Sequence, residues 1–218
     1  MNSARLVAVS SPIEDMSPEE FIVYCARVSN PSNQNNHNTA DKLCRYLIDH
    51  KHWSPFEMVS LTLELKTTRD IGRQVLRHRS FSFQEFSQRY AEVVDFAEPR
   101  EARLQDKKNR QNSIETDNGA LAEAWAEQQT EVMRHAEEAY KRALDAGVAK
   151  EVARSVLPEG LTNSTMYMAG TLRSWLHYLQ LRCSNGTQKE HMELAESCLN
   201  AIHPVFPNVI EAVFGEDY

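Results

Sequence analysis

The sequence predicts an α+β fold: one helix-rich domain over residues 1–218, built around a modest antiparallel sheet. Three observations carry that reading. Val59, Leu61, Leu63 and Leu65 alternate with Ser60, Thr62, Glu64 and Lys66, the period of a strand with one buried face. Leu121, Trp125, Val132, Ala136, Ala139, Tyr140 and Leu144 recur at helical spacing between Gly119 and Gly147. No internal repeat and no linker-like change of composition divides the chain.

Taken in order, Leu6-Val7-Ala8-Val9 suits an opening strand. Ser17-Pro18-Glu19-Glu20 sets a capping Ser before a first-turn Pro, with Glu three residues after the cap, so a helix is expected over 18–28. Residues 29–38, rich in Asn and Ser, read as a loop. Asn38 or Thr39 caps a second helix over 40–50, with Leu43, Tyr46 and Leu47 on one face. Beyond the alternating strand the pattern turns helical over 69–77, and residues 90–96 read as another strand. Residues 98–118 are polar and charged, which predicts an exposed loop or an extended hairpin. The long helix covers 119–146, and shorter helices are expected at 149–156, 171–183 and 187–202, with Pro158, Gly186 and Pro204 as breaks.

Charge and composition narrow the function classes. With 24 Lys+Arg against 31 Asp+Glu the net charge is −7, which argues against a surface that grips nucleic acid or an anionic membrane as a whole. No stretch approaches the ~20 apolar residues of a membrane span, and the first ten residues lack the regions of a signal peptide. Cys25, Cys44, Cys183 and Cys198 are widely spaced with no C-x-x-C pair, the pattern of a reduced, intracellular chain. A soluble cytoplasmic protein with no nucleic-acid or membrane partner is therefore expected. His50 and His52 have no third ligand at a recognisable spacing, so no metal site is assigned.

Chemistry concentrates in residues 77–90, Arg77-His78-Arg79-Ser80-Phe81-Ser82-Phe83-Gln84-Glu85-Phe86-Ser87-Gln88-Arg89-Tyr90. Guanidinium forks suit phosphate and carboxylate, while His, Ser and amide groups suit the edges of a uracil-like or flavin-like ring. Phe81, Phe83 and Phe86 are expected to hold the segment against a core. A solvated basic turn is the plain alternative, but three Phe in the segment imply burial, and buried Arg needs anionic partners. A second polar cluster, residues 50–57, precedes the alternating strand. A third joins Arg154 to Arg173, His177 and Arg182; on a helix Arg173 and His177 share one face, with Arg182 at its edge.

Residues 77–90 closely resemble the R-H-R-x-x-S-x-N-E-x-S-x-R-Y hallmark of the flavin-dependent thymidylate synthases, with Gln84 standing where Asn is commonest. Three further stretches resemble the same family in the same order: His52-Trp53-Ser54-Pro55-Phe56-Glu57, Ala153-Arg154-Ser155-Val156-Leu157-Pro158, and Arg173-Ser174-Trp175-Leu176-His177-Tyr178 followed by Leu181-Arg182. The resemblance covers residues 50–185.

It implies reductive methylation of dUMP to dTMP, with methylenetetrahydrofolate as carbon donor and NADPH as reductant through FAD. It also implies a homotetramer with active sites shared between subunits. By position, Ser54, Arg77, His78, Arg79, Glu85, Thr171, Leu172, Arg173 and His177 would contact FAD. Gln74, Val75, Leu76, Arg77, Glu85, Phe86, Ser87, Gln88, Arg89, Arg154 and Arg182 would form the dUMP site. Arg182 is the expected catalytic residue, a fixed cation beside the uracil. Thr171, like Gln84, stands where Asn is usual. No cysteine lies near residues 77–90, and Cys183 points about 100° away from Arg182 on a helix, so no enzyme thiol is expected to attack the substrate. Two other classes fit part of the pattern. One is a flavin or nucleotide sensor without turnover, against which the presence of Arg182 and Ser87 argues. The other is an RNA-binding module stacking bases on the Phe residues, against which the acidic balance argues.

Overall fold

The computed structural model describes residues 2–13, 15–36, 38–93 and 95–215. Its centre is an antiparallel sheet in the order β1–β2–β6–β3. Strand β1 is Ser3–Val9, β2 is Ser60–Thr68, β3 is Ser82–Glu85 and β6 is Asn163–Thr171. The alternation read in the sequence is the buried face of β2: Leu61, Leu63 and Leu65 are at most 1% exposed, each worth roughly 1.5–3 kcal/mol of burial. On β6 the same face carries Ser164, Met166 and Met168, with Leu63 opposite Met168 and Leu65 opposite Met166.

Helices cover that face. They are α1 (Pro18–Ala26), α2 (Ala40–Asp49), α3 (Arg69–Val75), α6 (Leu172–Arg182), α7 (Lys189–Ile202) and α8 (Pro207–Phe214). Trp175, Leu176 and Leu179 of α6, Leu194, Cys198 and Ile202 of α7, and Val209 and Ile210 of α8 join β2 and β6 in one core. The opposite face of the sheet is more open, with Val7 46% and Tyr167 40% exposed.

Local chemistry sets the helix ends. Ser17 and Glu20 form the expected capping box, but α1 stops at Ala26 and a 3₁₀ turn, Arg27–Ser29, takes its last residues. Lys51 (φ 57°) closes α2: its N–H bonds the Ile48 carbonyl and that of His52 bonds Leu47, a Schellman arrangement with Lys where Gly is usual. That reversal delivers residues 52–57 to the site. Within α2 the buried stripe is Ala40, Cys44, Leu47 and Ile48, whereas Tyr46 is 50% exposed and stacks on His50.

Several expectations are corrected. Residues 90–96 form no strand among the described residues: Phe96 makes one bridge to Thr162, and Val94 lies outside the description. The strand of this region is instead β3, inside the polar motif. Strand β6 and helix α8 were not anticipated. Residues 98–118 do form a hairpin, β4 (Arg103–Gln105) against β5 (Ser113–Glu115). The long helix α4 (Gly119–Asp145) buries only Gln129, Ala136 and Tyr140, and leaves Leu121, Trp125 and Val132 40–54% exposed.

Helix α5 (Lys150–Ala153) runs into a 3₁₀ turn, Arg154–Val156. There Val93, Tyr140, Ala153 and Leu157 make a small second core, with the Val93 N–H donating to Tyr140 Oη. No helix among the described residues is long and apolar enough to cross a membrane.

Candidate functional site

Residues 77–90 leave α3, turn at residues 78–81 and enter β3 at the edge of the sheet. Phe81 anchors the turn as expected: it is 9% exposed and packs edge-on against Trp175 at 4.9 Å. A Cβ on Gly170 of β6 would come within 2.5 Å of the Phe81 ring, so this close approach requires Gly there. Phe83 packs partly against the core, but Phe86 is 39% exposed and does not serve as an anchor.

Three groups of expected residues assemble. The first is central. Arg182, at the end of α6, donates from Nε to His78 Nε2 at 3.0 Å, across 104 residues of sequence. The His78 ring stands edge-on to Tyr178 at 4.8 Å. Burial, then the charges of Arg182 and Arg77, lower the His78 pKa to about 4. His78 is therefore neutral near pH 7, as its role of acceptor requires. Gln74 lies beside this pair on α3 and contacts His191 of α7.

The second group gathers at the 3₁₀ turn Ser54–Glu57. Arg173 of α6 pairs with Glu57, and His177, one helical turn on, sits 6.0 Å from Trp53. Ser54 is exposed in that turn, and Arg77 and Arg79 are exposed where α3 leads into β3. Thr171 caps α6, accepting from the Ser174 N–H at 3.3 Å, so its hydroxyl is committed locally. Gln84 is exposed on β3 opposite Tyr167.

The third group stands apart. Arg89 places Nε and Nη2 each 3.2 Å from Glu151 Oε2. Arg154 donates from Nε to the Glu151 carbonyl at 3.3 Å. The second core explains the meeting, because Val93 and Ala153 pack together and draw the ends of the two segments into register. The Ser87 hydroxyl accepts from the Arg89 N–H at 3.4 Å. Among the described residues, no hydrogen bond or ion pair joins this group to the other two.

Other expected residues take different places. Glu85 is held inward on β3, with Ser164 Oγ donating at 2.9 Å and the buried Arg69 guanidinium 3.3 Å away. Gln88 is 4% exposed, and its Nε2 has no partner among the described residues. Val75 and Leu172 are fully buried core residues, so neither side chain lines an open site in this chain. The backbone of each is also committed: the Leu172 N–H bonds Val59, and the Val75 carbonyl accepts from His78. Leu76 is half-buried.

A cavity of about 500 Å³ opens between the ends of β2 and β6 and residues 92, 93 and 95–98; of the expected site residues that are described, only Phe86 lines it. This cavity therefore does not gather the expected residues. Sequence reading missed Glu57 and Glu151, which hold Arg173 and Arg89. It also missed His191, which occupies a core position three and four residues before Leu194 and Ala195; a His on an apolar helix face was the available signal.

The thiols are poorly suited to attack. Burial pushes Cys183 up to about 11 and, with Glu19 and Asp41, Cys44 up to about 12; burial also raises Cys25 and the fully buried Cys198.

Comparison with known proteins adds to this geometry. The family described as Thymidylate synthase complementing protein matches residues 13–208. A "Probable flavin-dependent thymidylate synthase" of Paramecium bursaria Chlorella virus 1 is 51% identical over 213 residues, covering 97% of this chain and 98% of the relative. A "Flavin-dependent thymidylate synthase" of Synechocystis sp. is 47% identical over 200 residues, covering 92% and 91%. Among solved structures, a UMP/dUMP methylase PolB from Streptomyces cacaoi bound with 5-Br dUMP superposes with a TM-score of 0.83 at 30% identity, covering 97% of this chain and 94% of that one.

Proposed function

The chain belongs to the flavin-dependent thymidylate synthase family, and from that premise we propose that it methylates dUMP to dTMP with methylenetetrahydrofolate as carbon donor and NADPH as reductant through FAD. The observation that carries the reading is the Arg182–His78 hydrogen bond, which sets a cation from α6 against the 77–90 motif.

The donor set fits FAD. Arg173 stands at the turn that carries Ser54, Arg77 and Arg79 are exposed on the 77–90 motif, and such guanidinium forks suit a diphosphate. The Trp53 and His177 rings, 6.0 Å apart, offer surfaces for a planar ring system. Ser54, Arg77, His78, Arg79, Arg173 and His177 would hold the cofactor, with Glu85 beside them. When bound, FAD supplies the redox and one-carbon chemistry that side chains lack.

This chain's own residues do the rest. Arg89 and Arg154, together with Ser87, would hold the nucleotide phosphate, and Gln74 would meet the base. His78 fixes the plane of the Arg182 guanidinium by accepting from Nε, which leaves the other N–H groups to face negative charge developing on the uracil. No thiolate is assigned a part: burial raises all four thiols above their ordinary range, which supports that reading. The test is an absorbance spectrum of the purified protein, with flavin bands near-stoichiometric with protein expected. Colourless protein that neither retains nor takes up FAD would overturn the reading.

The assembly belongs to the same proposal. We read the protein as a homotetramer of one-domain subunits that complete one another's sites. Two features support it: among the described residues no hydrogen bond or ion pair joins the Arg89–Arg154 group to the other two, and Leu121, Trp125 and Val132 leave an apolar stripe on α4 uncovered. Sedimentation should give four chains per particle. An active, flavin-loaded monomer would contradict it.

A further inference from the structure

Beneath the Arg182–His78 pair runs a buried polar chain. Tyr178 Oη stands 3.2 Å from His191 Nε2, and His191 Nδ1 stands 3.1 Å from Gln74 Oε1. Gln74 Nε2 donates to Gln188 Oε1 at 2.7 Å, and Gln188 Nε2 donates to Glu190 Oε2 at 2.8 Å. The other Glu190 oxygen pairs with Arg103 of β4. His191 is 0% exposed and Tyr178 1%, so water does not compete for the bond between them.

The direction of every bond follows from the acidic end. An ionised carboxylate only accepts, so Gln188 turns its amide nitrogen to Glu190 and its oxygen to Gln74. Gln74 must then point its nitrogen at Gln188 and its oxygen at His191. His191 is left to donate from Nδ1 and to accept the Tyr178 proton at Nε2. Burial alone would raise the Glu190 pKa, but the Gln188 hydrogen bond, its own backbone N–H and Arg103 bring it below the usual carboxylate range. Burial, with Arg182 and His78, lowers His191 to about 3. Both ends thus hold the charge states that the chain requires.

We propose that His191 and Glu190 are positioning residues: they lock the Gln74 amide in one of its two orientations and so fix which of its atoms meet the pyrimidine. This rests on the reading of Gln74 as a substrate contact. The terminal torsion of Gln is close to two-fold, so a free amide would present either end with similar ease. Uracil offers acceptors at its carbonyls and a donor at N3, and a flipped amide would set like against like. Tyr178 ties the same chain to the first site group, since its ring supports His78.

The first test uses the intact, unmodified protein. Nitrogen-15 labelling of histidine and long-range proton–nitrogen correlation should find His191 with its proton on Nδ1 and Nε2 bare, from about pH 6 to 8. A proton on Nε2 instead would overturn the polarity. The second uses two substitutions and calorimetric dUMP binding. His191→Asn keeps a donor near the Nδ1 position, whereas His191→Gln keeps an acceptor near Nε2 and removes the donor to Gln74. His191→Asn should bind dUMP within about 3-fold of the parent and His191→Gln about 10-fold or more weakly, with FAD retained in both. Equal affinity in all three would refute the positioning role. Gln74→Ala separates the layers: unchanged dUMP affinity refutes the substrate reading of Gln74 and the inference with it. Weakened binding in Gln74→Ala beside unchanged binding in His191→Gln refutes the inference alone.

Discussion

Replacing Arg182 by Lys should lower dTMP formation by about 100-fold or more, the scale of losing one preorganised electrostatic group, in a protein that still folds and stays yellow. The reason is geometric. Arg182 spends its Nε–H on His78 at 3.0 Å and keeps two Nη groups in a fixed plane for a second partner. Lysine has one nitrogen on a flexible stem and cannot serve both. Charge alone is conserved in this variant, so a large loss isolates orientation as the cause. Electron transfer from NADPH to flavin should persist, because the proposed flavin residues lie mainly at His78, Arg79 and His177. His177→Ala should show the complementary pattern, weaker FAD retention that added FAD partly restores. Near-parental turnover in Arg182→Lys would make Arg182 a structural helix-end residue.

Arg89→Ala and Arg154→Ala should each weaken dUMP binding by about 30- to 150-fold, the scale of one lost charge-assisted contact at about 2–3 kcal/mol. Fold stability should change little. The Arg89–Glu151 pair is 57% and 53% exposed, and an exposed pair contributes under about 1 kcal/mol. FAD should remain bound, since no described hydrogen bond or ion pair links these residues to the turn Ser54–Glu57. Calorimetry against dUMP checks both variants, and unchanged affinity in Arg89→Ala would contradict the site map.

What the sequence made legible depended on the range of the interactions. The β2 alternation, the Ser17 capping box and the α4 period are local signals, and each element formed, with α1 ending at Ala26, short of the expected residue 28. Strand β6 was missed because its buried face is Ser164, Met166 and Met168, residue types that do not announce a strand, and because its stability comes from partners on both sides. Among the described residues, 90–96 form no strand for the converse reason: favourable composition meets one bridge, at Phe96.

The site divides in the same way. Its contiguous motifs were readable, and so was the shared face of Arg173 and His177. The groups that orient them were not. Glu57, Glu151 and His191 reach their partners across 116, 62 and 117 residues respectively. Such pairings arise from how the elements pack in the two cores, not from spacing along the chain.

Release of tritium from 5-tritiated dUMP tests methyl transfer to dUMP at a flavin site most directly. Release by the purified protein should require methylenetetrahydrofolate, NADPH and FAD together, with dTMP formed in equal amount. Tritium held fully on the nucleotide by a flavin-loaded, dUMP-binding protein with all three present would contradict it and leave a binding protein in its place.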